Sequence, residues 1–173
     1  MESQELIEMS KEAGGGGERL VGVTMAIFAA FLAVVTLLGH RLHTEEVVMQ
    51  TKSADGWAYY QAKNNRYHMY ANDAQLAELS GAAAASSVVA EWKKKSEEEH
   101  QQAEEIRKDT EKLDVETEAT ARRATFFDIS EIGLEIGIVL SSISLLTASA
   151  LYWRLGFLPS GIGVAVAIYG LMH

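Results

Sequence analysis

LVGVTMAIFAAFLAVVTLLG, residues 20–39, is a run of 20 residues without a charge. A helix rises 1.5 Å per residue, so roughly 20 residues cross a hydrocarbon core about 30 Å thick. The stretch therefore reads as a membrane span. A cleaved signal peptide would need a basic start and an apolar core of only ~7–15 residues. Here Glu2, Glu5, Glu8 and Glu12 precede the run, and the run is too long. A retained helix is expected.

Two further stretches share this character. Ile132–Tyr152 is interrupted only by Glu135, and Leu155–Met172 follows after little more than Trp153-Arg154. Spans joined so closely must run antiparallel. Tyr152, Trp153 and Arg154 suit the headgroup level, where aromatic rings and a snorkelling guanidinium are favoured. The spans are drawn at 20–39, 131–152 and 155–172. Residues 1–19 are read as a flexible acidic tail, because Gly14–Gly17 has high backbone entropy to lose. Glu2–Ala13 could form a short helix. No Gly-Lys-Ser/Thr follows the glycines, which argues against phosphate binding.

Composition hides this segregation. The 173 residues are 48% hydrophobic and 23% charged, yet Leu20–Gly39 and Ile136–Met172 carry one charge between them, Arg154. A net charge of −9, from 15 basic and 24 acidic residues, argues against nucleic acid as a partner. The absence of cysteine excludes disulfides, zinc-thiolate sites and thiol catalysis.

Between the first two spans lies a long charged segment, 40–130, with no proline. Gly81, Ala82–Ala85 and Ser86-Ser87 form the one evident break, glycine suiting a helix end and serine the next N-cap. That places a tip near 80–87 with about 40 residues on either side, so both arms begin and end at one membrane surface. In the second arm Val89, Trp92, Ser96, Glu99, Ala103, Ile106, Thr110, Leu113, Thr117, Thr120 and Ala124 alternate at spacings of three and four, a coiled-coil seam with many polar members. The first arm shows no clean heptad and offers an aromatic stripe, Trp57, Tyr60 and Tyr67, expected to pack against Trp92 and its neighbours. The expected fold is an all-α membrane protein, with three transmembrane helices and a long antiparallel helical hairpin, a coiled-coil-like stalk, inserted between the first and second.

Three stretches carry a family resemblance. They are Asp55-Gly56-Trp57-Ala58-Tyr59-Tyr60-Gln61-Ala62-Lys63 with Arg66; Phe127-Asp128-Ile129-Ser130-Glu131 leading on to Leu146-Thr147; and Leu151-Tyr152-Trp153-Arg154-Leu155-Gly156. The chain resembles a bacterial membrane-protein family named only as domain of unknown function 4337, over nearly everything after the glycines. The resemblance implies the same three-span architecture with a helical insert, and no activity.

Few residues offer chemistry. Glu131 and Glu135 lie one helical turn apart at the start of the second span, after Asp128. A carboxylate inside hydrocarbon is costly and often functional. The plainer reading puts all three in the headgroup zone, hydrated or paired with Arg41, Arg122 or Arg123. His40 and His43, with Glu45 and Glu46, share a helix face but lack a third ligand, so no metal or cofactor is expected. His68, His100 and His173 are scattered, and nothing supports a nucleophile. Small residues recur every four positions: Gly133, Gly137 and Ser141 in the second span, Gly22, Ala26 and Ala30 in the first, Gly161/Ala165 and Gly163/Ala167 in the third. Along such faces helices approach closely in lipid. Trp57, Tyr60, Tyr67 and Trp92 form a candidate interaction surface.

Basic residues near the spans divide three against four, Lys11, Arg19 and Arg154 against Arg41, Lys52, Arg122 and Arg123. Short loops weigh most in the positive-inside rule, so Arg19 and Arg154 place the N-terminus in the cytoplasm and the stalk in the periplasm. The expectation is a non-enzymatic inner-membrane protein that self-associates in a structural or scaffolding role. The bilayer, further copies and conceivably another membrane protein are its partners. A channel or transport-accessory subunit, with Glu135 near an ion or proton path, is the alternative.

Overall fold

The computed structural model describes residues 2–80 and 85–172, and the side-chain surroundings of 16–80 and 86–172. Good helix formers dominate and proline occurs once, so helix is the favoured state throughout. The described residues form three: α1 (Glu2–Leu79), α2 (Ala85–Thr147) and α3 (Ala150–Met172). All three are long and apolar enough to cross a membrane. Pro159 lies inside α3. It leaves the Leu155 carbonyl without its usual donor, a defect that membrane helices tolerate.

Three boundaries differ from expectation. α1 continues through Gly14–Gly17, where a tether was expected. Each glycine costs about 1 kcal/mol relative to alanine, but lengthening an existing helix needs no new nucleus. α2 begins at Ala85, which puts Ser86 and Ser87 in its first turn rather than at its cap. Gly81, expected just past the end of α1, lies outside the described residues. The join between the second and third spans is Ala148-Ser149, so Tyr152, Trp153 and Arg154 belong to α3.

The physical cause of that join is a helix-ending turn. Ala148 has φ 50°, the Ser149 amide donates to the Ser144 carbonyl at 3.3 Å, and the Ser144 hydroxyl donates to the Ser149 carbonyl at 2.9 Å. This is the Schellman pattern, normally built on glycine. An alanine there is strained by about 1–2 kcal/mol. Ala148→Gly is therefore expected to raise stability by about 1 kcal/mol, read as a higher unfolding midpoint in detergent.

The chain divides into two compact units, one of Met1–Thr44 with Thr120–His173 and one of Glu45–Ala119. In the first unit Val35, Phe127, Leu134 and Ala167 form the core, with Leu32, Leu38, Leu42 and Val164 packed against it. Phe28 meets Phe157 edge-on at 5.5 Å, and the Trp153 indole donates to Thr24 Oγ1 at 3.3 Å. All three helices thus meet here.

The second unit has a seam of mixed polarity. On α2, Val89, Ser96, Ala103, Thr110 and Thr117 are buried at seven-residue intervals, with Trp92, Glu99, Ile106 and Leu113 half-buried between them. The facing side of α1 also follows a heptad: Glu46, Met49, Ser53, Gly56, Tyr60, Lys63, Tyr67, Tyr70, Ala74 and Ala77 are all buried or half-buried. This corrects the expectation that the first arm has none. Its members include a glutamate, a serine, a glycine and a lysine, so hydrophobicity alone hides the period. Rising numbers on α1 meet falling numbers on α2, from Ser53 with Asp114, through Lys63 with Gln102, to Glu78 with Lys93.

Candidate functional site

The tryptophan-tyrosine block is built into the seam of the second unit. An ideal Cβ on Gly56 would lie 2.4 Å from Thr110 Oγ1, so only glycine lets the helices approach this closely. Ser53, one turn earlier, donates through Oγ to Asp114 Oδ1, and Trp57, the next residue along, donates through Nε1 to Asp114 Oδ2 at 3.0 Å. Tyr60 stacks edge-on against Trp57 at 5.8 Å. Lys63 is 8% exposed. Its ammonium sits 2.6 Å from Gln102 Oε1 and 3.0 Å from Glu99 Oε2, with Tyr59 at 5.7 Å. Tyr67 lies against His100 at 4.7 Å, and its carbonyl accepts from Ser96.

Trp57, Tyr60, Tyr67 and Trp92, expected as one surface, are each half-buried. They do not form one cluster. Trp57 contacts Asp114, whereas Trp92 adjoins Lys93, which reaches Glu78 at the other end of the seam. Sequence reasoning missed Lys63 and Asp114. Lys63 could have been found from its place on the seam, midway between Tyr60 and Tyr67; Asp114 carries no comparable signal.

Gly56→Ala tests the close approach. Thr110 Oγ1 is held on the Ile106 carbonyl at 2.8 Å, so the threonine cannot yield without losing that bond. The variant is expected to lose about 1–3 kcal/mol in denaturant unfolding. Adding Thr110→Ala should return most of it in a double-mutant cycle.

The carboxylates of the first unit separate into three environments. Asp128 meets His43 Nε2 at 3.0 Å. Glu131 is half-buried and accepts from Thr36 Oγ1 at 2.9 Å, where hydration or pairing with Arg41, Arg122 or Arg123 was expected. Glu135 is exposed, and among the described residues no hydrogen bond or ion pair reaches it. A charged side chain at the centre of a membrane helix costs about 2.5–3.5 kcal/mol on insertion scales. Of the three, Glu135 is the one without a partner among the described residues. Among the described residues no group of three His, Cys, Asp or Glu could hold a metal.

The small-residue ridges divide just as sharply. Gly133, Gly137 and Ser141 face α3: a Cβ on Gly137 would lie 1.7 Å from Ser160 Oγ, and one on Gly133 would lie 2.7 Å from the Pro159 carbonyl. Gly163 answers from α3, where a Cβ would lie 2.7 Å from the Ser130 carbonyl, and Ala167 is buried beside it. Ser141 is buried and donates to the Gly137 carbonyl at 2.8 Å. By contrast Gly22, Ala26 and Ala30 are exposed, and nothing lies within 4 Å of a Cβ on Gly22. Gly161 is equally open, and Ala165 is exposed.

A family model, described as Domain of unknown function (DUF4337), matches residues 17–173. The chain belongs to this family. Neither a curated protein nor a solved structure matches it. Within this DUF4337 chain, the residues that carried the resemblance have structural work to do. Gly56, Trp57 and Lys63 lock α1 to α2, Glu131 is tied to Thr36, and Trp153 is tied to Thr24.

Proposed function

We propose that this is a non-enzymatic, multi-pass protein of a bacterial inner membrane that self-associates and serves a structural or scaffolding role. The observation that carries this reading is the unused ridge on α1. The Gly133, Gly137 and Ser141 face of α2 and the Gly163 and Ala167 face of α3 are consumed inside the protomer, while Gly22, Ala26 and Ala30, like Gly161 and Ala165 on α3, stay open and offer the close backbone approach that drives association in lipid. The second unit acts as an antiparallel coiled-coil hairpin outside the membrane, supported by the opposed order of its contacts and its heptad seams. Arg19 and Arg154 place the N-terminus in the cytoplasm and the hairpin in the periplasm. The mass of the protein in lipid particles tests the reading. A discrete oligomer is expected, reduced towards single copies by Gly22→Leu with Ala26→Leu; a lone protomer for the natural chain would sink it.

A second reading, a channel or transport-accessory subunit, is favoured by Glu135, an exposed carboxylate within the apolar part of α2. An unchanged proton flux in liposomes after Glu135→Gln would count against it.

A further inference from the structure

We propose that Glu135 is the docking point for a different membrane protein, one that presents a lysine or arginine inside a transmembrane helix. The inference rests on the reading of three membrane spans and goes beyond self-association. Depth comes first. Gly39, the end of the uncharged run of α1, packs on Phe127. Glu135 lies eight residues further along α2, roughly 12 Å deeper at 1.5 Å per residue. Its neighbours Gly133 and Gly137 pack on α3 between Gly156 and Gly163, midway along that helix. Glu135 is therefore near the middle of the hydrocarbon, beyond the reach of headgroups.

Orientation comes next. Glu135 is exposed, as are Ile132, Ile136 and Val139 around it. Between positions 132 and 141 its face of α2 carries no other polar side chain; Glu131, one turn earlier, is held by Thr36, and Ser142 lies two turns on.

Charge complementarity then selects the occupant. A second copy brings no cation to this depth, because Arg154 is the sole basic residue of α3 and lies in its second turn, close to the Ala148-Ser149 join. At the level of Glu135 the outward residues of α1 and α3 include Phe31, Val34, Leu158 and Ile162, which have no polar group to offer. Copies of this chain can meet along Gly22, Ala26 and Ala30 and still leave Glu135 uncompensated. Intramembrane charges pair with one another, so the missing group is a cation on another chain.

A defined probe tests this. Synthetic transmembrane helices of leucine and alanine, with or without one central lysine, are labelled as energy-transfer acceptors in phosphatidylcholine vesicles. The protein carries the donor at Leu146→Cys, unambiguous because the chain has no other cysteine. Transfer to the lysine probe is expected to exceed that to the plain probe about tenfold. Glu135→Gln should bring it down to the plain level, and Glu135→Lys should transfer the preference to a probe with a central glutamate. Adding Val139→Glu to Glu135→Gln should restore binding to a probe whose lysine sits one turn deeper. Equal transfer to lysine and plain probes overturns the proposal. So does transfer between two labelled copies that Glu135→Gln abolishes, which would mean carboxyl pairing between copies, and so does an effect of Glu135→Gln on proton flux alone. Protease protection of the spans in the same vesicles is read in parallel. Its loss would sink the three-span reading instead.

Discussion

Gly137→Leu is expected to destabilise the first unit by more than about 3 kcal/mol, whereas Gly22→Leu leaves its stability unchanged. Both are glycine-to-leucine changes in apolar helix, so their difference isolates packing. At Gly137 the first added carbon would fall 1.7 Å from Ser160 Oγ and 2.8 Å from the Gly156 carbonyl. The carbonyl is backbone and cannot move without α3. The backbones are as close at Gly133 and Gly163, where an added Cβ would lie 2.7 Å from a carbonyl of the facing helix. The helices must separate, and the Phe28–Phe157 and Trp153–Thr24 contacts with α1 are strained in turn. Overpacking usually costs about 1–3 kcal/mol, and backbone displacement takes this case to the upper end or past it. At Gly22 nothing lies within 4 Å. The measurement is the unfolding midpoint of each variant in mild detergent, followed by helicity. Equal midpoints for the two variants would mean that the α2–α3 glycine face does not hold the unit together.

The three long apolar helices were legible because a segment able to enter lipid must exclude charge, a constraint strong enough to show in one sequence. The α2 seam was legible for a similar reason. Val89, Trp92, Ile106 and Leu113 mark the three-four spacing, and the polar members Ser96, Thr110 and Thr117 fall into its register. The matching seam of α1 was hidden because Lys63, Ser53 and Glu46 occupy positions where apolar residues are sought. The spacing between Tyr60 and Tyr67 puts Lys63 on the seam, but what compensates its charge there, Glu99 and Gln102, is tertiary information. The α2–α3 join was misplaced for a local reason: Ala148 adopts a glycine-like φ with no glycine to announce it. Among the small-residue ridges, spacing identified all of them, but it could not tell the buried face of Gly133, Gly137 and Ser141 from the open face of Gly22, Ala26 and Ala30. Glu135 and Glu131 share a helix and lie one turn apart, yet only the position of Thr36 separates the compensated carboxylate from the bare one.

Lys63→Leu is expected to cost about 3 kcal/mol, and Lys63→Leu with Glu99→Leu to return most or all of it. The ammonium and carboxylate are 3.0 Å apart, with side chains only 10% and 17% exposed. Removing the lysine strands the carboxylate in the seam, with Arg66 too distant at 3.9 Å and too exposed to replace it. Breaking a buried pair in this way costs about 3–5 kcal/mol, and slight hydration of Glu99 puts the value at the lower end. Replacing both partners removes the desolvation penalty and fills the seam with apolar volume, which is often neutral or stabilising. The consequence should then appear in register rather than stability. A slip by one heptad one way would set Lys63 against Trp92 and Lys95, leaving the ammonium without a carboxylate, whereas the opposite slip would bring Asp109 to the place of Gln102. With two leucines that penalty disappears. A cysteine at Gly56 should cross-link in the natural register to one at Thr110, whose Cβ lies 3.3 Å from an ideal Cβ on Gly56. In the double-leucine variant, additional cross-links from position 56 to a cysteine at Ala103, the register that the Lys63 charge disfavours, are expected. A double variant that cross-links only at Thr110 would show that the aromatic and glycine contacts alone hold the register, and that Lys63 is kept for some other purpose.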